Sequence, residues 1–190
     1  TNGKTSTIFR GYGYDLAEGE KTRAPDWSWN ALYGSPLKEQ HTTLLGQSLG
    51  KILGCVPDQK VKMMNAVAGY KPEVRPFHCS SPDIQLTITT PEGQLNAIDV
   101  QVVGLMDALY KDIDDKFLAV SIEDAQTLMN TKDISYITVK FLKNGRYVDD
   151  IIEDFNPQAQ AAKIDQRMTR WENHIIGEMY VRTMSLLGVF

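Results

Sequence analysis

Hydrophobic and polar positions alternate most cleanly in the middle of the chain. Ile84, Leu86 and Ile88 interleave with Gln85, Thr87 and Thr89, a period of two that predicts a strand with one apolar face. Thr90-Pro91-Glu92-Gly93 follows and carries proline and glycine where a type I turn accepts them. Ile98, Val100 and Val102 then return, completing a predicted hairpin. Lys116 to Val120 reads as a further short strand. Ser121 and Asp124 form a capping box opening a helix that turns Ala125, Leu128 and Met129 inward. Ile137, Val139 and Phe141 alternate with polar neighbours as another strand.

Helical spacing appears twice. Leu44, Leu45, Leu49, Ile52 and Leu53 recur within 39–54, and Gly54 suits the position past a helix end. Near the C-terminus, Asn156 is expected as an N-cap with Pro157 in the first turn. Ala161, Ile164, Met168, Trp171 and Ile175 then make a buried stripe. The opening segment Thr5 to Asp15 reads as a strand running into a turn. Residues 15–36 show no period and read as a packed loop, with Trp27, Trp29 and Tyr33 either clamping it to the body or forming a partner-docking patch. Residues 56–83, with Pro57, Pro72, Pro76 and Pro82, are expected to be a loop-rich insertion holding at most a short strand at Lys60–Met64.

Composition narrows the classes. The 190 residues carry a net charge of −4, which disfavours a nucleic-acid surface because phosphate binding needs concentrated positive charge. No run reaches the ~20 apolar residues of a membrane span, and no signal-peptide layout opens the chain. Asp99 to Asp124 holds seven acids against Lys111 and Lys116. Asp112, Asp114 and Asp115 have the close spacing of hard oxygen ligands, but the calcium-loop glycine and final glutamate are missing. A solvated acidic loop is the expectation. His41, His78 and His174 lie in no zinc-ligand spacing, and the serines lack a nucleophile elbow. No catalytic, cofactor or metal residue is therefore assigned. Cys55 and Cys79 are compatible with a disulfide in an oxidising compartment or with two reduced thiols in the cytosol.

Several segments together resemble the extracytoplasmic domain of FtsX-like ABC transporter permeases, the group of MacB and the lipoprotein-releasing LolC/LolE proteins. Leu44 to Met64 is similar to a family helix followed by a turn into a strand, with Pro57-Asp58 where glycine-aspartate is usual. Pro91 to Thr131 resembles the most characteristic stretch, with Val102-Val103-Gly104, the paired Asp114-Asp115, and the Ser121 to Gln126 helix start. Met168 to Phe190, with Trp171, is similar to the approach to a second transmembrane helix. Val61 to Ser81 departs from the pattern as an insertion, and the family's domain normally begins further upstream.

The resemblance implies an α+β fold in two lobes: a βαβ porter-like lobe from residues 1–40 and 105–190, and an inserted β-rich lobe at 41–104 with a loop insertion near 58–83. It implies a non-enzymatic periplasmic domain of an inner-membrane permease, dimeric in the full transporter. Such a domain couples ATP hydrolysis to export or release of a lipoprotein, lipid, peptide or drug. ATP would be bound by a separate nucleotide-binding subunit or domain, and the partners would be that ABC ATPase and an envelope protein or lipoprotein cargo. It favours the Cys55–Cys79 disulfide, because the periplasm is oxidising. Both termini would lie at one end. The alternative is a free-standing extracytoplasmic adaptor that binds protein through the Trp27/Trp29 loop.

Overall fold

The computed structural model describes residues 1–22, 31–58, 75–106, 111–135, 137 and 146–163. The chain divides into two compact units, Thr1–Thr138 and Val139–Phe190.

The first unit is mixed α+β. Its strands are β1 (Arg10–Tyr14), β2 (Tyr33–Gly34), β3 (Thr42–Gly46), β4 (Cys55–Pro57), β5 (Phe77–Cys79), β6 (Asp83–Thr89), β7 (Leu95–Met106) and β8 (Phe117–Ser121). Its helices are α1 (Leu16–Thr22), α2 (Gln47–Ile52), α3 (Lys111–Asp114) and α4 (Ile122–Met129). A six-stranded sheet runs in the order β1-β8-β3-β7-β2, with β6 also on β7, and β4-β5 make a separate two-stranded ladder. β1 is parallel to β8 and β3 to β7, while β3–β8, β2–β7 and β6–β7 are antiparallel.

β3 and β8 are buried at every position, as expected for strands covered on both faces. Alternate residues enter different cores. Leu45, Leu105, Leu118 and Val120 join one cluster with Leu49, Leu53 and Leu128. Leu44, Met106, Phe117 and Ala119 join the other with Leu37, against which Tyr12, Tyr14 and Leu16 pack. The period-two pleat places these two sets on opposite faces of the sheet. Helices α2 and α4 therefore cover the first face, and the β1–α1 corner covers part of the second.

The β6–β7 hairpin forms as its alternation predicts, with Ile84 opposite Val100 and Leu86 opposite Ile98. The strand before Ser121 and the helix after it also form, although Met129 is 39% exposed rather than inward. Elsewhere tertiary packing overrides the local pattern. Leu44 and Leu45 belong to β3 rather than to a helix over 39–54, because a strand buried on both faces reads as an unbroken apolar run. Part of the expected 15–36 loop is α1, opened by the Asp15 carboxylate accepting from the Glu18 N–H at 2.9 Å. Part of the expected 56–83 insertion is the β4–β5 ladder. The Lys60–Met64 strand lies outside the described residues, as does all but Ile137 of the strand expected at 137–141.

The 41–104 stretch does not separate from its flanks in this sheet. β3 sits between β8 and β7, so a boundary at 41 or 105 falls among strands that are hydrogen-bonded together. In the second unit, α5 (Arg146–Ala161) begins well before Asn156 and runs through Pro157. Asn156 is thus an interior residue rather than a cap. Pro157 gives up one helical hydrogen bond, a loss tolerated between turns that carry their own. The stripe from Ile164 onward and the C-terminus lie outside the described residues, so the expected proximity of the termini does too. No helix among the described residues is long and apolar enough to cross a membrane.

Candidate functional site

Asp114, expected on a solvated acidic loop, is 7% exposed. Gly46 precedes α2 without a side chain to cap it. The Asp114 carboxylate supplies the cap from far along the chain: Oδ1 accepts from the Gln47 N–H at 3.0 Å and Oδ2 from the Ser48 N–H at 2.7 Å. A carboxylate there satisfies free amides and meets the positive end of the helix dipole. A Cβ at residue 46 would collide with the Asp114 carbonyl, so glycine is required by close approach. The acidic residue is spent on joining α2 to α3.

Asp124 makes a second joint. Ser121 Oγ donates to Asp124 Oδ2 at 2.8 Å and accepts from the Asp124 N–H at 3.0 Å. The same Oδ2 accepts from the His41 backbone N–H at 2.7 Å, and the His41 ring Nδ1 stands 3.4 Å from Oδ1. Ser121 is fully buried and Asp124 nearly so. Serine, aspartate and histidine thus meet, but with the aspartate in the middle. A nucleophilic serine needs the imidazole beside its hydroxyl to take the proton, whereas here the hydroxyl proton is directed at a carboxylate. The arrangement fastens the entry to β3 onto the start of α4.

The third joint is Val102-Val103-Gly104. The β3–β7 register shifts between Thr43, opposite Val102, and Leu44, opposite Gly104, leaving Val103 as a bulged residue. Here β7 exchanges β6 for β2 along one edge: the Ser35 N–H donates to the Val103 carbonyl and the Leu32 N–H to the Leu105 carbonyl, each at 2.8 Å. Gly34, with φ +75°, lies so close that a Cβ would strike the Val103 carbonyl.

The β4–β5 ladder is of another kind. Cys55 lies opposite Cys79, Val56 opposite His78 and Pro57 opposite Phe77. The Ser80 N–H bonds the Gly54 carbonyl at 2.9 Å and the Asp58 N–H the Pro76 carbonyl at 3.2 Å. These bonds flank the outer pairs, so Cys55/Cys79 and Pro57/Phe77 are non-hydrogen-bonded pairs, where side chains approach most closely. Cysteines in that register can be bridged, and the structure joins them as a disulfide. Proline at such a position costs the ladder no donor. Beside the bridge, His78 Nδ1 lies 2.6 Å from Asp58 Oδ1 in a solvent-exposed pair.

Of the docking aromatics, Tyr33 is only 2% exposed and belongs to the core. Its ring is unavailable to a partner because β2 is pinned against β7 by the bonds just described. Trp27 and Trp29 lie outside the described residues. Among the described residues no three or more His, Cys, Asp or Glu side chains gather around a possible metal ion. The α1 cap was missed in the reading of 15–36 as a loop, although Asp15 three residues before Glu18 is a spacing that could have shown it. The caps from Asp114 and to His41 were not legible, because their partners lie 66 and 83 positions away.

No protein-family model matches the chain, and no curated protein matches it.

Proposed function

We propose that the chain is a non-enzymatic periplasmic domain of an inner-membrane ABC permease of the FtsX-like type. In this reading it transmits movement between a cytoplasmic ATPase, which binds the nucleotide, and a cargo or envelope partner outside the membrane. One observation carries the reading: the family-like stretches of the middle of the chain are the joints of this fold. Val102-Val103-Gly104 is the bulge where β7 changes partners, Asp114 caps α2, and Ser121 to Asp124 ties α4 to β3. A chance resemblance would scatter over surface and core alike. One that falls on turns, caps and bulges follows the residues a shared backbone path requires. The Cys55–Cys79 bridge supports an oxidising compartment. Joints that hold secondary elements in fixed register suit a body that moves as a unit and passes force along.

The porter-like and β-rich lobes belong to the same proposal. Because β3 is central to the sheet and Cys55, Phe77 and Cys79 pack into the first core, a lobe made of all of 41–104 would share its sheet and its core with the rest of the first unit. Fold analogy does not choose the cargo. The adaptor alternative loses Tyr33 from its docking patch.

Purification of the full-length protein from its native membranes tests the reading. An ABC ATPase should travel with it, and a Cys55→Ala/Cys79→Ala full-length variant should retain the ATPase while releasing less cargo. A full-length polypeptide recovered from the soluble fraction without an ATPase would overturn it.

A further inference from the structure

At β1 the sheet ends, and its outer edge is open. The Arg10 N–H bonds the Lys116 carbonyl at 2.6 Å while Arg10 stands opposite Phe117. In a parallel ladder every second residue turns its N–H and C=O toward the neighbouring strand, so Arg10, Tyr12 and Tyr14 spend theirs on β8. The backbone groups of Gly11 and Gly13 therefore face outward. Both glycines are exposed, and among the described residues no hydrogen bond reaches their outward groups.

Proteins commonly guard such an edge with lysine, proline or a bulge. β1 has none of these: its sequence is Arg-Gly-Tyr-Gly-Tyr and its register with β8 is unbroken. The charge on the strand, the Arg10 guanidinium, lies over the Tyr12 ring at 5.9 Å, and Tyr12 in turn stacks on Phe117 at 5.2 Å. Glycine at 13 is accounted for inside the protomer, since a Cβ there would come 2.7 Å from the Ala125 Cβ. At 11 a Cβ would first meet the Phe9 ring, at 3.2 Å, a side chain able to give way.

We propose that a second copy of this chain pairs with the edge, β1 antiparallel to β1 about a two-fold axis at Tyr12, joining two six-stranded sheets into one. Gly-Tyr-Gly reads alike in both directions, so this register sets Gly11 opposite the partner's Gly13 and Gly13 opposite the partner's Gly11. Each is a hydrogen-bonded pair, and together their bonds use every outward group of these glycines. Charge fixes the direction. Arg10 opens the strand, whereas Asp15 and Glu18 follow its end. Antiparallel pairing carries each Arg10 to the partner's acidic end, while parallel pairing would set like charges side by side. Ile8, 70% exposed just before the strand, comes toward the start of the partner's α1. Both complementarities lie within this one segment, which is why the occupant is a second copy. The inference does not rest on the transport reading, since it needs only this sheet.

Amide exchange and cross-linking on the full-length protein test it. Gly11 and Gly13 should exchange within ~10-fold of Tyr12, whose amide β8 already protects. Rates ~100-fold faster, as for open edge amides, would overturn the proposal. Tyr12 meets its own copy at a non-hydrogen-bonded position, so Tyr12→Cys should form a disulfide-linked dimer on oxidation with copper phenanthroline. Slow glycine amides without that dimer would mean that a different chain covers the edge, which also overturns it. Gly11→Pro removes an outward donor and spares the β1–β8 ladder. In the Tyr12→Cys background it should lower the yield of linked dimer at least ~10-fold, because half of the intermolecular bonds are lost. Gly11→Ala keeps the N–H and should leave the yield within ~2-fold. An equal fall with alanine, or no fall with proline, would rule out pairing through this edge.

Discussion

The central sheet and the β4–β5 hairpin solve the same problem by different means. Both must hold strands that are distant in sequence. The sheet does so through burial on two faces and through carboxylates that cap helices from afar, none of which needs covalent help. The hairpin has three residues per strand, too few for a two-stranded ladder to persist in water. It is held by a covalent bond across its first pair. Where many apolar side chains can interlock, packing supplies the specificity. Where the chain is short and half-exposed, a cross-link restricts the unfolded ensemble instead.

Removing the cross-link gives the largest expected effect. Cys55→Ala/Cys79→Ala should lower urea stability by about 3 kcal/mol on the chain-entropy model for a loop of this size. The loss of exchange protection should concentrate at residues 55–57 and 77–79 and leave β3 and β8 as they were. Equal loss throughout β3 and β8 would erase the contrast between the two regions. Next comes the sheet's own fastening. Asp114→Ala should cost about 2 kcal/mol, since the Gln47 and Ser48 amides are left without their acceptor, while Asp112→Ala, on an exposed residue of the same helix, should change little. A matched pair of values would show that Asp114 is not the cap. The smallest effect is expected at the surface: His78→Ala should alter stability by under ~0.5 kcal/mol, because a solvent-exposed contact such as His78 with Asp58 gains little net energy. A larger change in urea midpoint would mean that this pair, and not only the bridge, holds the hairpin.

The misreadings share a cause. Leu44 and Leu45 fit a helical stripe and a doubly buried strand equally well, and only their neighbours β7 and β8 decide between the two. Asp114 belongs to an acidic run that has the look of a solvated loop, yet its carboxylate meets two amides 66 and 67 positions earlier. Tyr33 has the appearance of a docking aromatic until β2 is seen pinned to β7. The Ser121 cap, by contrast, was legible because both its partners lie within one turn. The β6–β7 hairpin was legible because alternation and turn residues sit in a single stretch.

Local chemistry thus determined, from sequence alone, the hairpin between Ile84 and Val102, the start of α4, a mixture of strands and helices and the two cysteines able to pair. Only the tertiary structure decided that Asp114 is a cap, that Tyr33 is core, that Val103 is a bulge and that the 41–104 stretch is woven into one sheet. The physical reason is range. Capping within a turn and side-chain alternation depend on residues a few positions apart, whereas burial, register and the meeting of a carboxylate with a distant helix end exist only once the chain has folded back on itself.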